Sequence, residues 1–327
     1  MKDVAREAGV SVATVSFAIN SPDRVSPASL KRVRNAVEKL GYVRNEAARQ
    51  LRVGQSNMIG LLMLDLENPF FIDIATGAEA QAGANGLSVL LGNSHRDTHG
   101  ENAYLDLFAE GSARGVVIAP SSMDIREKLL ALRSRNVPIV LVDAVDEDER
   151  FGSIAIDNTL GGEIAARHLI ERGYRRITFV GTRSIPQIVD RLTGTRNAVD
   201  ASPGVSLDIV ETDDITFEAA MEVGLNIARR PRRDRPDAIF AANDILAIAI
   251  LHAFLQHNIA VPDDVALVGF DDIIYARMAA VPLTTVRQPT RLMGTEAVTM
   301  LLEIERGAAP RHIRIEPELV VRASTGG

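Results

Sequence analysis

From Met58 onward the chain repeats one pattern, a short uninterrupted apolar run followed by a stretch of helical character. The runs are MIGLLMLD, LSVLLG, GVVIAP, VPIVLVD, RRITFVG, DAIFAAN and DVALVGFDD. A strand that is apolar at consecutive positions has both faces covered, as in a parallel sheet whose connections are helices on either side. The pattern predicts an α/β body of two doubly wound lobes, the first beginning near Met58 and the second near Asp157. Ligands of such open sheets sit beyond the carboxyl ends of the strands. Those ends carry Asp65, Asn93, Ser121, Asp143, Asn243, Asp244, Asp271 and Asp272. Together they outline a cleft, although each also suits the cap of a following helix.

The chain ahead of this body reads differently. MKDVAREAGVSVATVSFAIN has the parts of a helix-turn-helix: small Ala5 where two helices press together, Gly9 in the turn, and Val10 and Val15 as the apolar seam. Ser11 is a natural cap, accepting from the amide of Ala13 or Thr14, for a second helix over Val12–Asn20 in the position of a DNA recognition helix. An ordinary helical hairpin in a core is the alternative. Ser26 and Pro27 then open a third helix, with Leu30, Val33, Val37 and Leu40 at helical spacing and Gly41 ending it. The expected division is an all-α head over residues 1–44, a hinge over 45–56 and the body over 57–327, with return crossings between lobes near 285 and 312.

Charge divides the same way. Up to Gln55 there are ten Lys and Arg against five Asp and Glu, and beyond it 26 against 38, within a chain of net charge −7. A basic head on an acidic body suits a phosphate-binding module joined to a domain that does not touch DNA. The chain has no cysteine, which excludes thiol catalysis, thiolate metal sites and disulfides. It shows no secretory signal, and runs such as Ile59–Leu64 are too short to span a bilayer. A soluble, cytoplasmic protein without membrane contact is expected.

The order of motifs resembles the lactose/galactose-repressor (LacI/GalR) family of bacterial transcription regulators along the whole chain. DVAREAGVS, TVS and Asn20 look like the family's head, and Asn45, Ala48, Arg49 and Leu51 match its hinge. LENPFF, IDN (Ile156–Asn158), HLIERGYRRITFVG, ANDILA, PDDVALVGFDD, PLTTVRQP and ELVVRAST match its periplasmic-binding-protein-like body. A periplasmic sugar-binding protein, the alternative, would share the body but lack the head and carry a signal peptide. The resemblance implies a ligand-responsive regulator, a repressor by expectation, bound as a homodimer to a palindromic double-stranded operator. Without leucine heptads after ELVVRAST, a dimer is expected rather than a tetramer.

By the same resemblance Val12, Ala13 and Phe17 fall where the family reads bases. All three are apolar, although relatives commonly place a polar or basic residue at Phe17, so thymine methyls and shape would carry the discrimination. Ser11 caps the helix, while Thr14, Ser16 and Asn20 would bond phosphates or base edges. A core position is the alternative for Phe17. Leu51 would wedge into the minor groove, with packing on the protein's own body the alternative, Ala48 would let paired hinge helices approach, and Arg49 and Arg52 would lie near phosphates. The tether Asn45–Gln55 is too short to be a stable helix alone and is expected to order only on binding.

In the cleft the resemblance places a small-molecule effector. Arg191 and Asp271 are the leading candidates, followed by Asp143, Phe70, Phe71, Ser121, Asn243 and Asp244, with lobe core the alternative for the two phenylalanines. Some relatives hold a purine with arginine, threonine and tryptophan where this chain has Ile185, Gln187 and Ala144, which shifts the expectation to a sugar. No cofactor or metal is implied. His95 and His99 lack accompanying ligands, and an Asp143/Asp271 hydrolase pair has no nucleophile motif behind it. RRPRRDRP (229–236) and DEDER (146–150) read as solvated turns.

Overall fold

A computed structural model describes residues 1–41, 56–111, 113–146 and 148–326, the side chain of Asn20 excepted. The chain separates into two compact units, dividing at Ser56. Ala48, Arg49, Leu51 and Arg52 lie outside the described residues.

In the head, α1 (Lys2–Ala8), α2 (Val12–Asn20) and α3 (Pro27–Lys39) enclose a small core of Val4, Ala5, Ala8, Val15, Ala18, Val33 and Ala36. Gly9 ends α1 at φ 62°, a left-handed conformation that glycine adopts without cost, and lets the Val10 amide donate to the Ala5 carbonyl at 3.0 Å. Ser11 accepts from the Thr14 amide at 3.0 Å, and Ser26 caps α3 through the Ser29 amide. Leu40, expected on the buried face of α3, is exposed. It is the C-cap residue and lies past the last helical turn, so Ala36, one turn earlier, takes the core position.

The body contains two six-stranded sheets among the described residues. The first holds β1 (Met58–Met63), β2 (Ser88–Asn93), β3 (Val116–Ile118), β4 (Ile139–Val142), β5 (Gly152–Ile156) and β11 (His312–Ile315), ordered β11-β5-β4-β3-β1-β2 and parallel throughout. The second holds β6 (Arg176–Gly181), β7 (Ser206–Glu211), β8 (Ala238–Ala241), β9 (Ala266–Asp271), β10 (Thr284–Arg287) and β12 (Glu318–Val320), ordered β12-β10-β9-β8-β6-β7. Only β12 runs antiparallel there. The chain passes between lobes after Ile156, after Arg287 and after Ile315, the last two a few residues beyond the expected positions.

Five strands, β5, β7, β10, β11 and β12, are absent from the apolar runs. β7 and β11 are edge strands with alternating exposure. β10 is interior but buries Thr284 and Thr285, whose hydroxyls bond Arg322 and Asp244.

The helix pair α7 (Asn158–Glu171) and α8 (Pro186–Asp200) carries much of the second lobe's side of the cleft. Their backbones touch: a methyl group on Gly194 would lie 1.8 Å from the Thr159 carbonyl oxygen, and one on Gly162 2.0 Å from that of Arg191. Such an approach leaves no space for a Cβ, and it fixes where α8 presents Arg191. Gly194→Ala is expected to cost about 2 kcal/mol or more of body stability, the scale of overpacking a tight contact. An unchanged urea midpoint would show that the pair can separate freely.

Candidate functional site

Arg191 projects from α8 and is almost fully buried. Its Nε donates to Asn158 Oδ1 at 2.9 Å and its Nη1 to the Ala242 carbonyl at 2.7 Å. The guanidinium stacks 3.7 Å from the centroid of the Phe270 ring, and its Nη2 lies 3.8 Å from Asp271 Oδ1. Burial pulls its pKa down, while Asp271, Asp143, Asp244 and Asp190 oppose the fall.

The two carboxylates nearest Arg191 end strands in left-handed backbone, Asp143 at φ 55° and Asp271 at φ 110°. Non-glycine residues persist there only when their surroundings compensate about 1–3 kcal/mol of strain, and such positions gather at functional sites. Burial raises Asp271 to about 6, restrained by Arg191 and by the side chains of Gln288 and Asn68. Burial raises Asp143 to about 7, with Arg191 opposing and Asp271 adding to the rise. Asp143 Oδ1 has no hydrogen-bond partner among the described residues.

These groups line an inner compartment of about 40 Å³ with Phe70, Phe71, Asn243, Asp65, Asn68, Arg96 and Gln187. That is room for little more than a water molecule. Two bonds between lobes close it: the Gln187 amide donates to the Asp143 carbonyl, and Arg96 pairs with Asp214. Arg96 also holds Asp65 at 2.7 Å. Asp143 and Gln187 are shared with an outer compartment of about 600 Å³, which takes in Ser121, Ala144, Asp157, Asn158, Asp190 and Arg314.

Arg191, Asp271, Asp143, Phe70, Phe71 and Asn243 thus converge on the inner compartment, and Ser121 lines only the outer one. Phe70 and Phe71 serve as core and wall together, packed edge to face with ring centroids 4.9 Å apart. Asn243 caps α10 (Asp244–Gln256) by accepting from the Leu246 amide at 3.0 Å. Asp244 does not line the cleft, contrary to expectation. Its Oδ1 accepts from the Thr285 hydroxyl at 2.6 Å and its Oδ2 from the Ile273 amide at 2.9 Å, so it ties α10 to β10 and to the turn after β9. Burial, with Asp271 nearby, raises its pKa well above the ordinary carboxylate value.

DEDER is not wholly a solvated turn either. Asp146 is buried and accepts from the Arg150 and Phe151 amides and from Arg126, which closes the loop over the sheet. Sequence reasoning missed Asn68, Arg96 and Glu101, the last fully buried and accepting from the Ser121 amide and hydroxyl at 2.6 and 2.8 Å. Asn68 falls within LENPFF, and the hint for Arg96 is its position just after a strand.

In the head, Ser11, Val12, Ala13 and Phe17 share the exposed face of α2, and Thr14 and Ser16 are half-buried. Phe17 is 46% exposed, so it is not a core residue.

Residues 1–45 match the family described as "Bacterial regulatory proteins, lacI family", and residues 166–325 match a "Periplasmic binding protein-like domain". The chain is 35% identical to the HTH-type transcriptional regulator DegA of Bacillus subtilis, over 99% of this chain and 97% of DegA. It therefore belongs to the LacI family of bacterial regulators. To the transcriptional repressor PurR of Photobacterium profundum this LacI-family chain is 33% identical, over 99% of its length and 98% of PurR. A solved complex of the regulator CelR with cellobiose shares 32% identity and a TM-score of 0.72 with it, covering 99% of this chain and 98% of CelR. A Lac repressor dimer bound to operator and the anti-inducer ONPF shares 26% identity and a TM-score of 0.84, over 99% and 98%. As a LacI-family body, the two-lobed unit bears no helix among its described residues long and apolar enough to cross a membrane.

Proposed function

We propose that this chain is a cytoplasmic transcriptional repressor that binds an inverted-repeat operator as a homodimer and responds to a sugar held between its lobes. The observation that carries this reading is the pairing, in one chain, of an exposed Val12/Ala13/Phe17 helix face with a cleft built on Arg191, Asp143 and Asp271. Apolar residues on that face would read thymine methyls and groove shape, with Ser11, Thr14, Ser16 and Asn20 beside them. Leu51, Ala48, Arg49 and Arg52 would form the minor-groove hinge. The fork of Arg191 and the two carboxylates suit a polyhydroxylated ligand, donating to and accepting from neighbouring hydroxyls.

An effector shifts DNA affinity only by binding two lobe arrangements unequally. Gln187–Asp143 and Arg96–Asp214 are the bonds that such a change would make or break. A purine, which some relatives hold with arginine, threonine and tryptophan, is the second reading, but Ile185, Gln187 and Ala144 line the cleft with no aromatic or cationic side chain at those positions. Mobility-shift titration against genomic fragments, repeated with sugars and with hypoxanthine and guanine, tests this. Salt-sensitive binding to an inverted repeat that a sugar modulates supports the reading; modulation by purines alone overturns the sugar.

The related Lac repressor structure is a dimer. In this chain Ile72, Ile274 and Tyr275 are exposed around one groove, with Met278 of α11 (Ile274–Met278) 70% exposed beside them. The groove is otherwise lined mostly by charged side chains, among them Glu67, Asp73, Arg287 and Arg291, so a second copy would bury these apolar residues within a charged rim. Tyr275→Asp with Met278→Asp is expected to convert a species of twice 35.4 kDa into one of 35.4 kDa by light scattering. An unchanged dimer mass would place the interface elsewhere.

A further inference from the structure

The outer compartment is acidic beyond what its own cations balance. Asp143, Asp148, Asp157 and Asp190 line it against Arg126 and Arg314. Both arginines are engaged: Arg126 bonds Asp148 and the buried Asp146, and Arg314 lies 3.5 Å from Asp157. Asp143 and Asp190 form no ion pair within 4.0 Å among the described residues.

The cluster alone would indicate only a solvated acidic wall. Asp143 supplies the second observation. It is 8% exposed, it lines both compartments, and its Oδ1 is a buried acceptor with no donor among the described residues. A buried acceptor left unmade is costly, and a buried carboxylate without a cation is costlier. Burial raises its pKa to about 7 although Arg191, which makes no ion pair with it within 4.0 Å, acts to lower it. A neutral hydroxyl would complete the hydrogen bond but leave the charge. An ammonium, with three donors and a positive charge, would answer both.

We propose that the effector is an amino sugar of one or two rings, its ammonium received by Asp143 with Asp190 as the second carboxylate of the same cavity. The outer compartment, about 600 Å³, accommodates two pyranose rings, within the ordinary range of ligand pockets, and Asp143 stands at its boundary with the inner compartment that Arg191 and Asp271 line. This rests on the reading of the cleft as a sugar-effector site.

The test is isothermal titration calorimetry of the full chain at pH 7.5 with matched probes: glucose and glucosamine, galactose and galactosamine, cellobiose and its diamino analogue chitobiose amine, each also N-acetylated. In at least one set the free amine is expected to bind about tenfold tighter than its neutral and N-acetylated partners, the gain of a charge-assisted over a neutral bond. Asp143→Asn should abolish that preference. Asp190→Asn, at an exposed position, should weaken it without touching the fold, with thermal melting as the check on both variants. A neutral or N-acetylated sugar binding as tightly as its amine overturns the amine and leaves the sugar reading standing. Binding of hypoxanthine or guanine with no sugar bound overturns both, and so does failure of every probe to bind.

Discussion

Arg191→Leu is expected to lower the stability of the body by about 3–5 kcal/mol and to abolish effector binding. Removing one member of a buried charged group leaves the others uncompensated, which is where most of such a cost arises. Arg191 is the cation nearest Asp271, it donates to Asn158 and Ala242, and it covers the Phe270 ring. Leucine fills part of the space and answers none of these groups. For a body of this size the loss corresponds to a fall in Tm of about 10 °C. The double variant Arg191→Leu/Asp271→Asn should recover a large part of it, because the stranded carboxylate is then gone. Calorimetric melting of the three proteins decides the matter: strictly additive losses would show that Arg191 acts through packing alone.

The second large effect concerns pH. Asp143 and Asp271 ionise in the folded protein at about 7 and about 6, both above the ordinary carboxylate value, and burial is the main cause in each. Through these two groups the folded state binds more protons than the unfolded chain between about pH 4 and pH 7, so they make stability fall as pH rises through that window, with Asp244 and Glu101 acting in the same sense and His168, lowered by burial, in the opposite one. Above it the full cost of holding two buried anions is in place. Carboxylates such as Asp146 and Asp237, lowered by hydrogen bonds and by arginine, act in the opposite sense but at lower pH, where their stabilisation is lost on acidification. Asp143→Asn removes the larger of the two burdens. It should raise the Tm at pH 8 by about 5 °C, from roughly 2 kcal/mol, half of what a three-unit shift converts to, because the buried asparagine amide itself still lacks hydrogen-bond partners. Parent and variant should converge near pH 4. Parallel stability curves from pH 4 to 8 would show that Asp143 does not titrate in this window.

Much of the head was legible in the sequence, because what shapes it is local. A glycine at the turn, serines that cap within three residues and apolar positions at helical spacing each act over one or two turns. Leu40 departs from its expected place because a helix end, unlike a helix face, is not set by spacing. Most strands buried on both faces announced themselves as apolar runs, as did the edge strand β2 despite its exposed positions; β5, buried throughout but opening on Gly152 and Ser153, β7 and β11, covered on one side, and β10, whose buried threonines are satisfied by distant partners, did not.

The site divides along the same line. Sequence by itself determined that Asp143, Asn243 and Asp271 stand at the carboxyl ends of strands, since strand direction alone puts them at one edge. It could not separate Asn243 from its neighbour Asp244, as both suit a cap. Tertiary structure decided that: with Asn243 bonded to the Leu246 amide, Asp244 is turned toward Thr285 and Ile273, contributed from 29 and more residues away. Likewise Arg96 and Gln187 become site residues only because two lobes meet, and Asp146 is buried only because Phe151 and Arg126 fold over it. Local chemistry is written in neighbours along the chain, whereas the partner of a buried charge is chosen by packing across it.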